Sequence, residues 1–144
     1  MSSVQTYFND IESGMNLPVL AKTPTTRQLV MYAGASGDFY EVHYDIEFAR
    51  ARDLSGVIVH GALKSGFIGQ LLSDWAGIEG TIKRLDIQYR SMDVANSTMW
   101  CKGIVRSKQI VDGKGIVECD VWIENASGEK TTAGSASILL PIRV

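Results

Sequence analysis

The sequence predicts an α+β layer structure, an antiparallel sheet curled around one long buried helix. Three observations carry this. From His60 the apolar residues Leu63, Phe67, Ile68, Leu71, Leu72 and Trp75 recur at spacings of three and four. That places them on one face of a helix of about four turns, ended at Gly77. Downstream the apolar period changes to two over Thr81–Tyr89, Ser97–Gln109, Ile116–Glu124 and Lys130–Leu140, as half-buried strands require. Between these runs, Val111-Asp112-Gly113-Lys114-Gly115 is a hairpin signal and Asn125-Ala126-Ser127-Gly128-Glu129 a second turn, so the strands form a meander.

The earlier elements are shorter. Leu17–Lys22 alternates loosely and reads as a short strand ended by Pro24. Thr25 or Thr26 can cap a helix through Arg27–Ala33, because a hydroxyl there accepts an otherwise unpaired N–H, and Gly34 and Gly37 are expected to stop it. Residues 38–56 read as an irregular excursion with a helical turn around Ile46–Arg52 and a break at Ser55-Gly56. Opposite its apolar face the long helix carries Gly61, Ala62, Ser65, Gly66 and Gly69, small enough to admit another backbone. Pro141 suits a strand end.

At 144 residues, without repeats or linker-like stretches, the chain reads as one domain spanning 1–144. A net charge of −2, with no basic run longer than Lys83-Arg84, gives no footprint for nucleic acid or anionic membrane. No apolar stretch approaches the length of a membrane helix, and the polar, acidic start MSSVQTYFNDIESGM is unlike a secretory signal. The expected location is therefore the cytoplasm. Cys101 and Cys119 fall in predicted strands and read as core residues rather than a disulfide. No spacing of the usual metal-ligand kind occurs, and no metal or redox cofactor is signalled.

The chemistry concentrates between Asp38 and Gly61, where both histidines lie. Asp38 and His43 could meet at one substrate atom if the loop returns on itself, and histidine titrates near neutral pH. His60-Gly61 opens the long helix, whose unpaired N–H groups and positive dipole end suit an oxyanion. Each residue has a plainer role open to it. Asp38 after Ser36-Gly37 suits a turn, His43 a hydrogen-bonded structural site and Gly61 tight packing.

The pattern Tyr32-Ala33-Gly34-Ala35-Ser36-Gly37-Asp38, His43-Tyr44-Asp45, Ala49, Ile58-Val59-His60-Gly61-Ala62-Leu63 resembles the hydratase motif of the MaoC-like, hotdog-fold (R)-specific enoyl-CoA hydratases. The resemblance implies a hotdog fold and addition of water across a trans-2-enoyl-CoA to give a (R)-3-hydroxyacyl-CoA, or the reverse dehydration. By it Asp38 and His43 are the acid/base pair and Gly61 supplies the backbone N–H that polarises the thioester carbonyl. Tyr40, His60, Ala62 and Ser65 then fall near substrate, and Lys83, Arg84 and Arg90 are candidates for the CoA phosphates. No cofactor is implied beyond the CoA thioester substrate. Two positions depart from the family pattern. Tyr40-Glu41 replaces an Asn-Pro, and Ala62 a Met. Leu71–Gly77 looks like the helix end of relatives from steroid side-chain and mycolic-acid metabolism, some of which work as paired subunits. A homodimer or higher oligomer is the expected state, with a related partner subunit as the variant. An acyl-CoA thioesterase and a non-catalytic acyl-CoA-binding subunit are the competing functions.

Overall fold

A computed structural model of the chain describes residues 4–144. Met1–Ser3, the first part of the stretch read as carrying no secretory signal, lie outside the described residues. The elements run β1 (Leu20–Lys22), α1 (Thr26–Ser36), α2 (Ile46–Arg50), α3 (Gly61–Ala76), β2 (Thr81–Tyr89), β3 (Met99–Val111), β4 (Lys114–Glu124) and β5 (Lys130–Leu140). All five strands join one antiparallel sheet in the order β1-β3-β4-β5-β2. Strands β1 and β2 are therefore its edges.

Alternation decides which way each strand faces. Met99, Cys101 and Val105 of β3, Val117, Cys119, Val121 and Ile123 of β4, and Ala136, Ile138 and Leu140 of β5 are buried in one core. Helix α3 presses Phe67, Ile68, Leu71, Leu72 and Ala76 into the same core. Burying one such leucine or isoleucine contributes roughly 1.5–3 kcal/mol, so this layer contact dominates the fold. The other sheet face is polar. There Arg84 pairs with Asp86 and Glu118, Arg106 with Glu118 and Asp120, and Lys102 with Glu124. Both cysteines are free and buried, as expected of core residues.

Local chemistry sets most boundaries. The Thr25 hydroxyl accepts from the Gln28 N–H and starts α1. The helix runs through Gly34, contrary to the expectation that this glycine would stop it. It ends at Gly37, whose φ of 77° is the left-handed cap that glycine adopts without strain. The Asp45 carboxylate caps α2 through the Glu47 and Phe48 N–H groups. The β3–β4 hairpin closes at Asp112 and Gly113, both at positive φ, so the two strands reach closer to the turn than their alternation indicated. The predicted strand over Leu17–Lys22 shrinks to β1. Its first half hangs on β3 through the Leu17 N–H to the Gly103 carbonyl. No helix among the described residues is long and apolar enough to cross a membrane.

Candidate active site

The excursion between α1 and α3 folds back so that Asp38, His43 and His60 meet at the start of α3. Asp38 performs two tasks with its two oxygens. Oδ1 accepts from the Tyr40 N–H at 3.4 Å in a turn, while Oδ2 stands 3.7 Å from His43 Nε2. The loop contains no proline. It is held instead by the Tyr44 hydroxyl donating to the Phe39 carbonyl at 2.8 Å and by the Ser36 hydroxyl accepting from the Asp38 N–H.

His43 is buried, and its Nδ1 is 2.8 Å from the Ile58 carbonyl. A carbonyl only accepts, so Nδ1 carries a proton. Neutral His43 therefore presents a bare lone pair at Nε2, facing a carboxylate that also only accepts. Two acceptors 3.7 Å apart suit one donor with two hydrogens lying between or beside them, which describes a water molecule.

His60 stacks on His43 with ring centroids 3.7 Å apart, and Tyr32 meets it edge-on at 4.8 Å. Its Nε2 donates to the Asp38 backbone carbonyl at 3.2 Å. Among the described residues its buried Nδ1 has no hydrogen-bond partner. Burial, reinforced by the neighbouring His43, lowers the His60 pKa, while Asp38 opposes that shift. His60 is thus a neutral wedge that aligns His43 and delivers the chain into α3. No side chain caps that helix. The N–H groups of Gly61, Ala62 and Leu63 consequently lack intrahelical acceptors at the end of α3 that His60 opens.

A metal-type donor set is nevertheless assembled, which sequence spacing did not foresee. Asp38, His43 and His60 offer ligand atoms within 4.8 Å of one another. The stacked rings lie only 19° from parallel, so their in-plane lone pairs run side by side instead of converging on one ion. That ring geometry, and not the bond from His60 Nε2 to the Asp38 carbonyl, is what disfavours an ion shared by the two imidazoles.

Residues 12–123 match the family profile of the MaoC like domain. The chain belongs to this MaoC-like family. It is 28% identical over 142 residues to an (R)-specific enoyl-CoA hydratase of Rhodospirillum rubrum, covering 95% of this chain and 93% of that protein. Among solved structures it superposes on the unliganded R-hydratase PhaJ1 from Pseudomonas aeruginosa with a TM-score of 0.86 at 20% identity, covering 95% and 86% of the two chains. A chain of the ChsH1-ChsH2 complex from Mycobacterium tuberculosis gives a TM-score of 0.78 at 24% identity, covering 90% and 98%. The sheet and α3 are thus the hotdog arrangement that the motif implied.

The other expected residues of this MaoC-like chain divide into two groups. Tyr40 is half exposed, 6.2 Å edge-on to His43, and Ser65 bonds the Tyr89 hydroxyl at 2.6 Å. Ala62 is exposed on the first turn of α3. Lys83, Arg84 and Arg90 are not brought to this cluster. Lys83 is exposed at a register irregularity in β2, and Arg84 is engaged by Asp86 and Glu118 on the polar sheet face. Arg90 lines a groove of about 690 Å³ with Trp122, Lys130 and Ser135, beside that same face. The small stripe expected to receive another backbone is open within the chain, for a Cβ at Gly66 or Gly69 would meet nothing within 4 Å.

Two features escaped sequence reading. Tyr89, at the end of β2, lies over Gly61, where a Cβ would come within 2.9 Å of its ring. Lys64, at an apolar-face position of α3, is buried with its ammonium 2.9 Å from Asp93 Oδ2. The helical spacing of Lys64 with Phe67, Ile68 and Leu71 was the available signal for the second, but a lysine there reads as solvated.

Proposed function

We propose that this chain catalyses (R)-specific hydration of a trans-2-enoyl-CoA, or the reverse dehydration. One observation carries the reading. Two hydrogen-bond acceptors, Asp38 Oδ2 and His43 Nε2, lie 3.7 Å apart beside an uncapped helix N-terminus. The pair holds a water by its two hydrogens, and the Gly61 N–H donates to the thioester carbonyl oxygen. As the water oxygen bonds to C3, one of its protons passes to the Asp38/His43 pair. The C2–C3 π electrons move toward the carbonyl, giving an enolate-like oxygen that the helix N-terminus stabilises. The pair then returns a proton to C2. Because one pair handles both steps from one side, the addition is syn. General acid–base catalysis of this kind contributes typically about 10²–10⁴-fold. The chain's own residues supply every group this requires, so no cofactor enters.

An (R)-specific enoyl-CoA hydratase that matches along 95% of this chain and 93% of its own length supports the same substrate class. A thioesterase would aim its water at the thioester carbonyl carbon and release free thiol, which separates the two readings by product. We further propose that two chains pair through the exposed edge of β2, which an isolated monomer would leave unpaired. The ChsH1-ChsH2 likeness keeps a related subunit as the alternative partner. Soluble, cytoplasmic fatty-acyl metabolism is the setting this function fits. Purified protein mixed with crotonyl-CoA and a longer trans-2-enoyl-CoA tests the activity. Loss of the conjugated-thioester absorbance without release of free thiol is expected. Thiol release would make it a thioesterase, and silence with both substrates would point to a different acyl group, a missing partner subunit or a binding role.

A further inference from the structure

Resting on the hydratase reading, we propose that Lys64 and Asp93 form a positioning pair that holds the water-binding half of the site in register with the oxyanion half. Both are charged and almost wholly inaccessible, with side chains 2% and 4% exposed. The Lys64 ammonium donates to Asp93 Oδ2 at 2.9 Å and to the Ser91 carbonyl at 2.9 Å. The Lys64 ammonium bonds to neither Asp38 nor His43. The importance of Lys64 and Asp93 lies in what each one is attached to.

Lys64 is in the first turn of α3, and its N–H donates to the His60 carbonyl. It therefore travels with the Gly61 amide. Asp93 belongs to the connection between β2 and β3, and that connection is stitched to the segment preceding α3. The Val59 N–H donates to the Asp93 carbonyl at 2.8 Å, the Ala95 N–H to the Val57 carbonyl at 2.9 Å, and Ile58 bridges Val94. Ile58 in turn donates its N–H to the Val42 carbonyl and receives the His43 Nδ1 proton at its own carbonyl. One ion pair thus closes a circuit from the helix N-terminus through residues 91–95 and 57–59 to the imidazole. A lone ionic link in an apolar setting is directional, and leucines in the same places would hold the parts together without fixing their register. Removing one partner leaves a buried uncompensated charge, whereas replacing both with apolar groups of similar volume is often tolerated. That asymmetry separates positioning from mere stability.

The test compares Lys64→Met, Asp93→Asn and the double variant Lys64→Met/Asp93→Leu. Thermal midpoint, kcat and KM for a trans-2-enoyl-CoA, and the His43 Nδ1–H signal in nitrogen-15 NMR are followed. Each single variant is expected to lower the midpoint. The double variant is expected to recover it yet keep kcat at least about tenfold down, with KM changed by less than about threefold. Its His43 Nδ1–H signal should broaden or shift, reporting a loosened bond to Ile58. Recovery of kcat together with the midpoint, or a folded single variant with wild-type kcat, would overturn the proposal. If the wild type hydrates no enoyl-CoA, the hydratase reading fails separately. The NMR signal then decides, because an unchanged His43 signal in the folded double variant overturns the positioning role.

Discussion

Asp38→Asn should abolish turnover while leaving the fold almost untouched. The Asp38 side chain is 52% exposed, and its oxygen stands 3.7 Å from His43, beyond a direct hydrogen bond. A carboxylate this exposed, out of direct hydrogen-bond reach of its neighbour, contributes about 0–1 kcal/mol. The Tyr40 N–H to Oδ1 contact survives, since the asparagine side chain keeps one carbonyl oxygen. A thermal shift of no more than about 6 °C follows for a domain of this size. The effect on chemistry is far larger. The amide cannot take the proton of water, and its NH₂ can donate directly to the bare His43 Nε2, closing the seat between the two acceptors. Loss of this acid/base function predicts a fall in kcat of about 10²–10⁴-fold, equivalent to about 2.7–5.5 kcal/mol in the barrier. Enoyl-thioester absorbance gives the rate, and a thermal melt gives the stability. A variant that keeps more than about a tenth of wild-type kcat, or melts more than about 10 °C lower, would refute the reasoning.

The remaining predictions concern the other parts of the site. Gly61→Ala puts a methyl 2.9 Å from the Tyr89 ring, so the ring must swing away and give up its 2.6 Å bond to Ser65. Tyr89 is half exposed and can move, so stability should change by about 1 kcal/mol or less, while kcat should drop about 10²–10³-fold as the oxyanion position is disturbed; unchanged kcat contradicts the assignment of Gly61. Because Arg84 is occupied on the polar sheet face, Arg84→Ala should leave KM for enoyl-CoA within about twofold, and a tenfold rise would return it to the CoA site. The lowered pKa of His60 makes the unfolded chain the better proton binder once pH falls below about 6.5. Unfolding free energy should therefore decline in wild type as pH drops through that range, and decline less in His60→Gln; equal slopes in urea melts contradict the neutral wedge. Burial pushes both the Cys101 and Cys119 thiols up to about 12, so neither should react with a thiol reagent at neutral pH until the protein is denatured.

Much of this architecture could be read from periodicity alone. The three-and-four spacing from Leu63 to Trp75 and the alternation from Thr81 onward report burial directly, and burial decides helix and strand. Boundaries were less legible. Gly34 is tolerated inside α1, and the turn at Asp112-Gly113 needs only two residues. At the site, Asp38, His43 and His60-Gly61 stood out because few residue types can do their chemistry. The facing of Arg84 depended on the pairing of β2 with β5, a long-range register no local pattern contains. Lys64 and Asp93 were hidden for the same reason, being 29 residues apart and meaningful only once buried together. Around the Tyr40-Glu41 departure the loop is tied by the Tyr44 hydroxyl to the Phe39 carbonyl and by the Asp38 N–H to the Ser36 hydroxyl, contacts that no local pattern announces.

The most direct test of the central claim is a single turnover mixture in heavy-oxygen-labelled water, with the position of the label and the configuration of the product read by mass spectrometry and chiral analysis. The water held between Asp38 and His43 should place the label on the C3 hydroxyl of a (R)-3-hydroxyacyl-CoA whose thioester is intact. Label in the carboxylate of a free acid, with CoA thiol released, would contradict it.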